Sequence, residues 1–173
     1  MCYIQFTFTP HKAVTTSTAP VRRIPSRFDV PTTTAPATNE FLPLLLAVNK
    51  MQDAANDAAA ERNRKAGKVV LRFLGATVSS VIAGPNFGCL YVKQGDTYMG
   101  KVDRNGDFRR AYGVNVVEAL EALRTAQSDP EAAAVAYGRE TGSCCCCGRE
   151  LTNQVSVDLG IGPICLEKLG GAF

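Results

Sequence analysis

Along residues 40–67 apolar positions return every three or four residues: Phe41, Leu45, Val48, Met51 or Gln52, Ala55 and Ala59. That spacing predicts an amphipathic helix with one face towards a core. Asn39 is placed to cap it, Glu40 suits its first turn, and Pro43 is tolerable because it falls so early. Gly67 is the expected end. The last turns read ERNRKAGK, and their cations suit the negative end of a helix. A solvated helix end is therefore favoured there over a binding patch.

The period then shortens. KVVLRFL, SSVIAG, GCLYVKQ, TYMGKVD and DFRRAY are strand-like runs, separated by the glycine-bearing turns GPNFG, QGD and DRNGD. LYVKQGDTYMGKV reads as a hairpin, and the Asn-Gly of DRNGD signals another. A small antiparallel meander of three to five strands is predicted. Helical spacing resumes in VNVVEALEALRTAQ, with Val114, Val117, Leu120 or Glu121, and Leu123 or Arg124 near one face. Asp129 and Pro130 open a further short helix, DPEAAAVAYG, which Gly138 is expected to end.

Ahead of the first helix the periodicity fails. Residues 1–39 are dense in Thr, Pro and Ala and poor in large apolar groups, which predicts a disordered tail. Only YIQFTFT alternates as an edge strand would. The expected organisation is a tail (1–39), a helix (40–67), a small α+β domain (68–138) and a Cys-rich unit (139–173), an α+β protein overall.

Composition adds bounds. The 173 residues are 46% hydrophobic and 20% charged, enough for one domain with a core. The net charge of +3 permits contact with nucleic acid without demanding it. From Leu71 to Gly113 there are six Lys/Arg against three Asp/Glu, and from Val114 to Thr141 two against five. An anion-binding face should therefore come from the middle of the chain. No run of about 20 apolar residues predicts a membrane span. MCYIQFTFTPHK lacks the basic start and apolar centre of a secretory signal, so the expected setting is cytoplasmic. In a reducing compartment the seven cysteines read as metal ligands and free thiols, not as a disulfide framework.

The chemistry concentrates in TGSCCCCGRELT. A tight C-x-x-C turn lets two thiolates converge on one ion, and a following glycine lets backbone N–H groups point at the sulfurs. Cys144 and Cys147 have that spacing and Gly148 follows; Cys145 and Cys146, inside the turn, would point elsewhere. In GIGPICLEKLGG, Pro163 and the glycines make a turn, and Cys165 opens a short helical run whose dipole favours a thiolate. Knuckle, short strands in ELTNQVSVDL, glycine turn, then a ligand at a helix start: that is the layout of a treble-clef-like zinc finger. Zn2+ is the expected cofactor, held by Cys144, Cys147 and Cys165. The position where a fourth ligand would fall is Lys168, which does not bind zinc at neutral pH. Cys145, Cys146, Asp158, Cys89, His11 or water remain open as the fourth.

The features TG-x-C-x-x-CGR-x-LT, a Ser a few residues on, and G-x-GP-x-C fall on Thr141, Gly142, Cys144, Cys147, Gly148, Arg149, Leu151, Thr152, Ser156, Gly160, Gly162, Pro163 and Cys165. The run Tyr137 to Leu169, about a fifth of the chain, resembles a small Cys-rich domain of unknown function. That domain recurs in bacteriophage and actinobacterial proteins, commonly at a C-terminus. The resemblance implies a zinc-binding module in a phage or prophage setting and is nearly silent on activity.

Weaker patterns are read structurally. GATVSSVIAGPNFG lacks the Gly-Lys-Ser/Thr of a phosphate loop. Asp103, Asn105 and Asp107 resemble the start of a calcium loop, but Val114 stands where its glutamate belongs, so DRNGD is a hairpin turn. Tyr91, Tyr98, Phe108 and Tyr112 interleave with Lys93, Lys101, Arg109 and Arg110. Two arrangements fit: a sheet that stacks bases and contacts phosphates, or aromatics facing the core with cations facing water. The second is favoured. Glu150 and Glu167 read as surface charges, and nothing near the cysteines resembles a general base, so no enzyme is expected.

Three functions follow in order. The first is a phage accessory protein whose structural finger binds DNA or RNA, with Lys93, Lys101, Arg109, Arg110 and Arg149 as contacts. From Gly142 onwards, however, Arg149 and Lys168 face Glu150, Asp158 and Glu167, a slightly acidic finger. The second is a protein-interaction module acting on a host factor. The third is a zinc enzyme, favoured only by the missing fourth ligand. Neither a membrane nor a small-molecule substrate is indicated.

Overall fold

The computed structural model describes residues 39–171. Apart from Asn39, the expected tail lies outside them, including its alternating start and His11. The described residues fall in one compact unit.

Helix α1 (Leu42–Glu61) buries Leu44, Leu45, Val48, Met51, Gln52, Ala55 and Ala58, the stripe its periodicity requires. Its ends differ from expectation. Asn39 sits in the left-handed region (φ 47) and does not cap. Its N–H instead reaches Asp107 Oδ1 at 3.2 Å, and the Phe41 N–H reaches the Gly106 carbonyl at 3.0 Å. The helix start is thus stapled to a distant turn. The helix stops at Glu61, well before Gly67, and Asn63 (φ 52) supplies the left-handed exit.

Five strands follow: β1 (Val70–Phe73), β2 (Ala76–Ser80), β3 (Leu90–Gln94), β4 (Thr97–Val102) and β5 (Phe108–Arg110). They form the expected antiparallel meander in the order β1-β2-β3-β4-β5. β2 begins three residues upstream of the SSVIAG run and takes in only its two serines, because its partner β1 ends in a turn at Leu74 and Gly75. Leu71, Phe73, Ala76, Val78, Leu90, Val92 and Val102 face inward and are buried.

The register assigns the opposite face. Val70, Ser79, Tyr91, Lys101 and Arg109 form one cross-strand row, and Arg72, Thr77, Lys93 and Tyr98 a second. Tyr91 and Tyr98 therefore share the outer face with the cations, contrary to the arrangement favoured from alternation. Only Phe108 turns inward, edge-on to Phe41 at 6.4 Å. The reason is parity: Leu90 and Val92 already fill the inner positions of β3, which sends Tyr91 outward.

Helix α2 (Val117–Ala126) buries Ala119, Ala122, Leu123 and Ala126, while Val117 is exposed. The small alanine side lets it lie close to the β1–β2 turn, where Gly75 faces Ala122. Helix α3 (Pro130–Thr141) is capped by Asp129, whose carboxylate accepts from the Ala132 N–H at 2.9 Å. It runs through Gly138 and ends at Gly142 (φ 63). Gly138 serves contact, not termination: a Cβ there would overlap the Gly160 backbone, and one on Gly160 would meet Val135.

Gly160 closes α4 (Gln154–Leu159), capped by Asn153, and α5 (Pro163–Lys168) follows. The strands expected in ELTNQVSVDL do not form. The only pairing there is an isolated bridge between Ser143 and Glu150, so the treble-clef hairpin is replaced by a helix. A local cap and a left-handed glycine exit outweigh the β-branched Val155 and Val157. The Cys-rich segment is not packed as a separate unit: Cys144, Cys145, Ile161, Cys165 and Leu169 belong to the same core cluster as the sheet, α1 and α2.

Buried Gln52 ties α1 to the following loop. Its Oε1 accepts from the Val69 N–H at 2.8 Å and from Ser80 Oγ at 2.6 Å, and its Nε2 donates to the Gly67 carbonyl at 3.0 Å.

Gly138→Ala tests the α3 contact. At an open helix-interior site this change stabilises by about 1 kcal/mol. Here the added methyl meets backbone, and the expected outcome in urea denaturation is a loss of about 1–3 kcal/mol. A gain in stability would contradict the close approach.

Candidate metal centre

The knuckle is built from main chain. The Cys144 N–H donates to the Arg149 carbonyl and the Gly148 N–H to the Cys144 carbonyl, both at 2.8 Å, closing the turn. Gly148 sits at φ 73, a conformation the turn needs and a side chain resists. The Gly162 N–H points at Cys144 Sγ from 3.4 Å. Pro163 starts α5 and places Cys165 in its first turn.

These pieces bring together the three expected ligands. The Sγ atoms of Cys144, Cys147 and Cys165 all lie within 4.8 Å of one another. Thiolates sharing one tetrahedral ion at about 2.3 Å stand about 3.8 Å apart, so small side-chain rotations fit the set to a metal. Cys144 and Cys165 are buried and Cys147 is exposed.

The thiols are electrostatically unequal. Burial pushes Cys144 up, but hydrogen bonds from the N–H groups of Cys147, Gly162 and Cys146 outweigh it and bring its pKa down to about 7. Cys165 is pushed up to about 12, first by burial and then by the neighbouring Cys147 and Cys144 thiols. One thiolate forms easily and the next is opposed by it. A divalent cation removes that opposition, which is how such a donor set takes up metal.

The inner cysteines stay out of the cluster. Cys145 is fully buried in the core, and Cys146 is half-buried with its sulfur 3.9 Å from that of Cys145. The hydrogen bond with Cys145 and then burial hold the Cys146 thiol up. Among the described residues no fourth Cys, His, Asp or Glu joins the three sulfurs. Asp158 is engaged by Gln154 at 2.9 Å, and Cys89 is buried at the start of β3. His11 lies outside the described residues. The three cysteines line a cleft of about 680 Å³, together with Glu150, Asn153, Ser156 and Lys168. The cleft gives a water or an incoming side chain access to the three sulfurs. Glu150 is exposed at the cleft, while Glu167 is paired with Arg62 at 3.2 Å.

The expected nucleic-acid contacts separate. Lys93, Lys101 and Arg109 share the sheet's outer face. Arg110 falls in register with Gly100, on the parity of inward-facing Phe108. Arg149 lines the metal cleft. Sequence reasoning missed Arg72. Its N–H donates to the Cys145 carbonyl at 2.8 Å, its guanidinium to the Cys146 carbonyl, and the same group lies against Gly148. An isolated arginine between apolar residues gave no signal for a contact so distant in sequence.

A family of unknown function (DUF6011) matches residues 134–170. The match spans most of α3, the knuckle, α4 and α5, and so includes all three candidate ligands. No curated protein and no solved structure matches the chain. Among the described residues no helix is long and apolar enough to cross a membrane.

Two predictions follow from the donor set. Elemental analysis should find one metal ion per chain in the wild type and in Cys145→Ala and Cys146→Ala, but none in Cys144→Ser, Cys147→Ser or Cys165→Ser. Metal retained by the three serine variants, or lost with an inner cysteine, would relocate the site. Metal uptake must also displace protons from the sulfurs. Apparent affinity should therefore rise with pH and fall away as pH drops below the Cys144 value of about 7, measured by competition with a chelator.

Proposed function

We propose that this is a non-enzymatic accessory protein of phage type that binds single-stranded nucleic acid on the open face of its sheet. A Zn2+ ion in the three-cysteine knuckle holds that face's flank. Soft thiolate donors select zinc over magnesium or calcium. In this role the ion is structural: it ties the knuckle to α5 and takes no part in a reaction.

The observation that carries the reading is the pairing of Tyr91 and Tyr98 on the solvent face, with ring centroids 5.7 Å apart and near-perpendicular planes. Rings on an open sheet offer bases a stacking surface, and neighbouring cations can follow the backbone. Lys93 pairs with Tyr98 across β3 and β4, and Lys101 pairs with Tyr91. Asn86 fixes part of the surface: its Oδ1 accepts from Lys101 Nζ at 2.6 Å, and its Nδ2 donates to the Tyr91 hydroxyl at 3.0 Å. Lys93 has no ion-pair partner among the described residues. Arg109 is more restrained, bridged to Asp103 at 3.0 Å and Asp107 at 3.7 Å. Burial is outweighed at Asp103, where Arg109 and two backbone N–H groups hold the carboxyl below its ordinary value. Arg72 ends the second row and reaches the knuckle, so the tyrosine face and the metal centre adjoin.

A second reading has its own support. Val155, Leu159 and Ile164 are exposed on the finger, and Val155 and Ile164 line the metal cleft. Those side chains suit an apolar surface on a protein partner, a host factor in the phage setting.

The two are separated by fluorescence anisotropy with a labelled oligonucleotide across a salt series. Tyr98→Ala should weaken binding by about 1–3 kcal/mol, one lost base stack. Lys93→Ala should reduce the slope of log affinity against log salt by about 0.7. Absence of oligonucleotide binding at low salt would remove the nucleic-acid reading and leave the apolar finger surface as the partner site.

A further inference from the structure

The basic run after α1 is exposed, and it also borders a concavity. Arg62, Arg64, Lys65 and Lys68 line a cavity of about 330 Å³ whose far wall is α5, and α5 contributes Lys168. Val69 and Leu169 form part of its apolar lining. The volume is at the lower end of the range of about 300–1,000 Å³ typical of ligand sites.

Five cations and no carboxylate line the cavity, and one of the five is paired. Arg62 is paired with Glu167 at 3.2 Å and also donates to the Glu167 carbonyl at 3.2 Å. Among the described residues, Arg64, Lys65, Lys68 and Lys168 have no ion-pair partner. All four are exposed at the border of the concavity, so each side chain is free to turn towards an anion seated there.

The loop that carries them is also held in place. The Arg64 N–H donates to the Ala59 carbonyl at 2.8 Å. Gln52 grips Gly67 and Val69 on either side of Lys68. The opposite wall is docked by the Arg62–Glu167 pair and by Gly170, which lies against the Ala54 carbonyl. The cations are therefore presented from two braced walls.

We infer that this junction between the end of α1 and α5 is a binding site for consecutive phosphate groups. Compact ammonium groups contact phosphates as point charges from several directions. Several cations around a small cavity suit two or three linked phosphates better than an isolated one. The chemistry is shared by a stretch of nucleic-acid backbone and by a free oligophosphate. The site has no residue in common with the tyrosine face and does not rest on the nucleic-acid reading. It depends on the finger in another way, because Lys168 lies three residues beyond the metal ligand Cys165 in the same short helix.

The test is isothermal titration calorimetry of the metal-loaded full chain with inorganic triphosphate at low salt, with metal content measured before and after. Wild type and Tyr98→Ala should bind alike. Lys65→Gln/Lys68→Gln should weaken binding by about tenfold or more. Lys168→Gln alone should also weaken it, an effect that a site confined to the loop would not show. Circular dichroism melts confirm that the glutamine variants are folded. If the wild type does not bind triphosphate, the site is refuted. It is equally refuted if the heat is undiminished in the folded variants, which is also what chelation of the bound metal would produce. A second arm adds a single-stranded oligonucleotide to the triphosphate complex. Displacement, together with weaker binding of the strand alone to the lysine double variant, identifies a strand as a source of the phosphates. Triphosphate binding without displacement identifies a free oligophosphate.

Discussion

Between the knuckle cysteines that face the metal site lies Cys145, and its peptide groups fix where the knuckle sits. Its N–H donates to the Gly160 carbonyl at 3.0 Å, and its carbonyl accepts from the Arg72 N–H at 2.8 Å. One bond reaches the turn that leads to Cys165; the other reaches β1. Its side chain is 0% exposed, filling core between them. The candidate ligands on either side are thus positioned by a residue that stays outside the sulfur cluster. Gly138 and Gly160 make the same arrangement possible from behind, since only bare backbone lets α3 approach so closely. The metal would complete a frame that hydrogen bonds and packing have already drawn together.

The charge state of the thiols fits that frame. Backbone N–H groups converge on Cys144 and favour its thiolate, while Cys165, buried beside it, is opposed. Were a metal bound, Cys144 would be its readiest donor, and the charge of the cation would favour ionisation of Cys165. Leu169 joins the common core, and Glu167 holds Arg62, so α5 is clasped to the end of α1.

What the sequence disclosed depends on the range of each interaction. Cys144, Cys147 and Cys165 were legible because C-x-x-C spacing and a helix start are local. The buried stripe of α1 was legible from its period. Its beginning was not, because Asn39 is held by Asp107, far along the chain. Glycines misled for a different reason. Gly67 and Gly138 were read as helix ends, yet a glycine is used either for its backbone freedom or for the space it leaves, and composition does not distinguish the two. In β3 the run Leu90–Tyr91–Val92 is apolar on both sides, so alternation supplied the period without the parity. Only the register with β2 and β4 shows that the tyrosines face outward. Helix α4 was hidden by its valines, whose strand preference yielded to the Asn153 cap and the turn at Gly160.

The bond from the Arg72 N–H to Cys145 has a consequence for the protein's solubility. β1 is a terminal strand of the meander and has only β2 as a partner within the sheet. A bare strand margin is a template on which other chains assemble. Here the cysteine turn lies along it, with the Arg72 guanidinium closing the seam. At the opposite margin β5 is only three residues long and carries two arginines, a standard defence against edge-to-edge pairing. The cysteine turn therefore acts as a hem on the sheet, held there by hydrogen bonds and by the buried Cys145 side chain, and it covers a margin on which a second chain would otherwise pair.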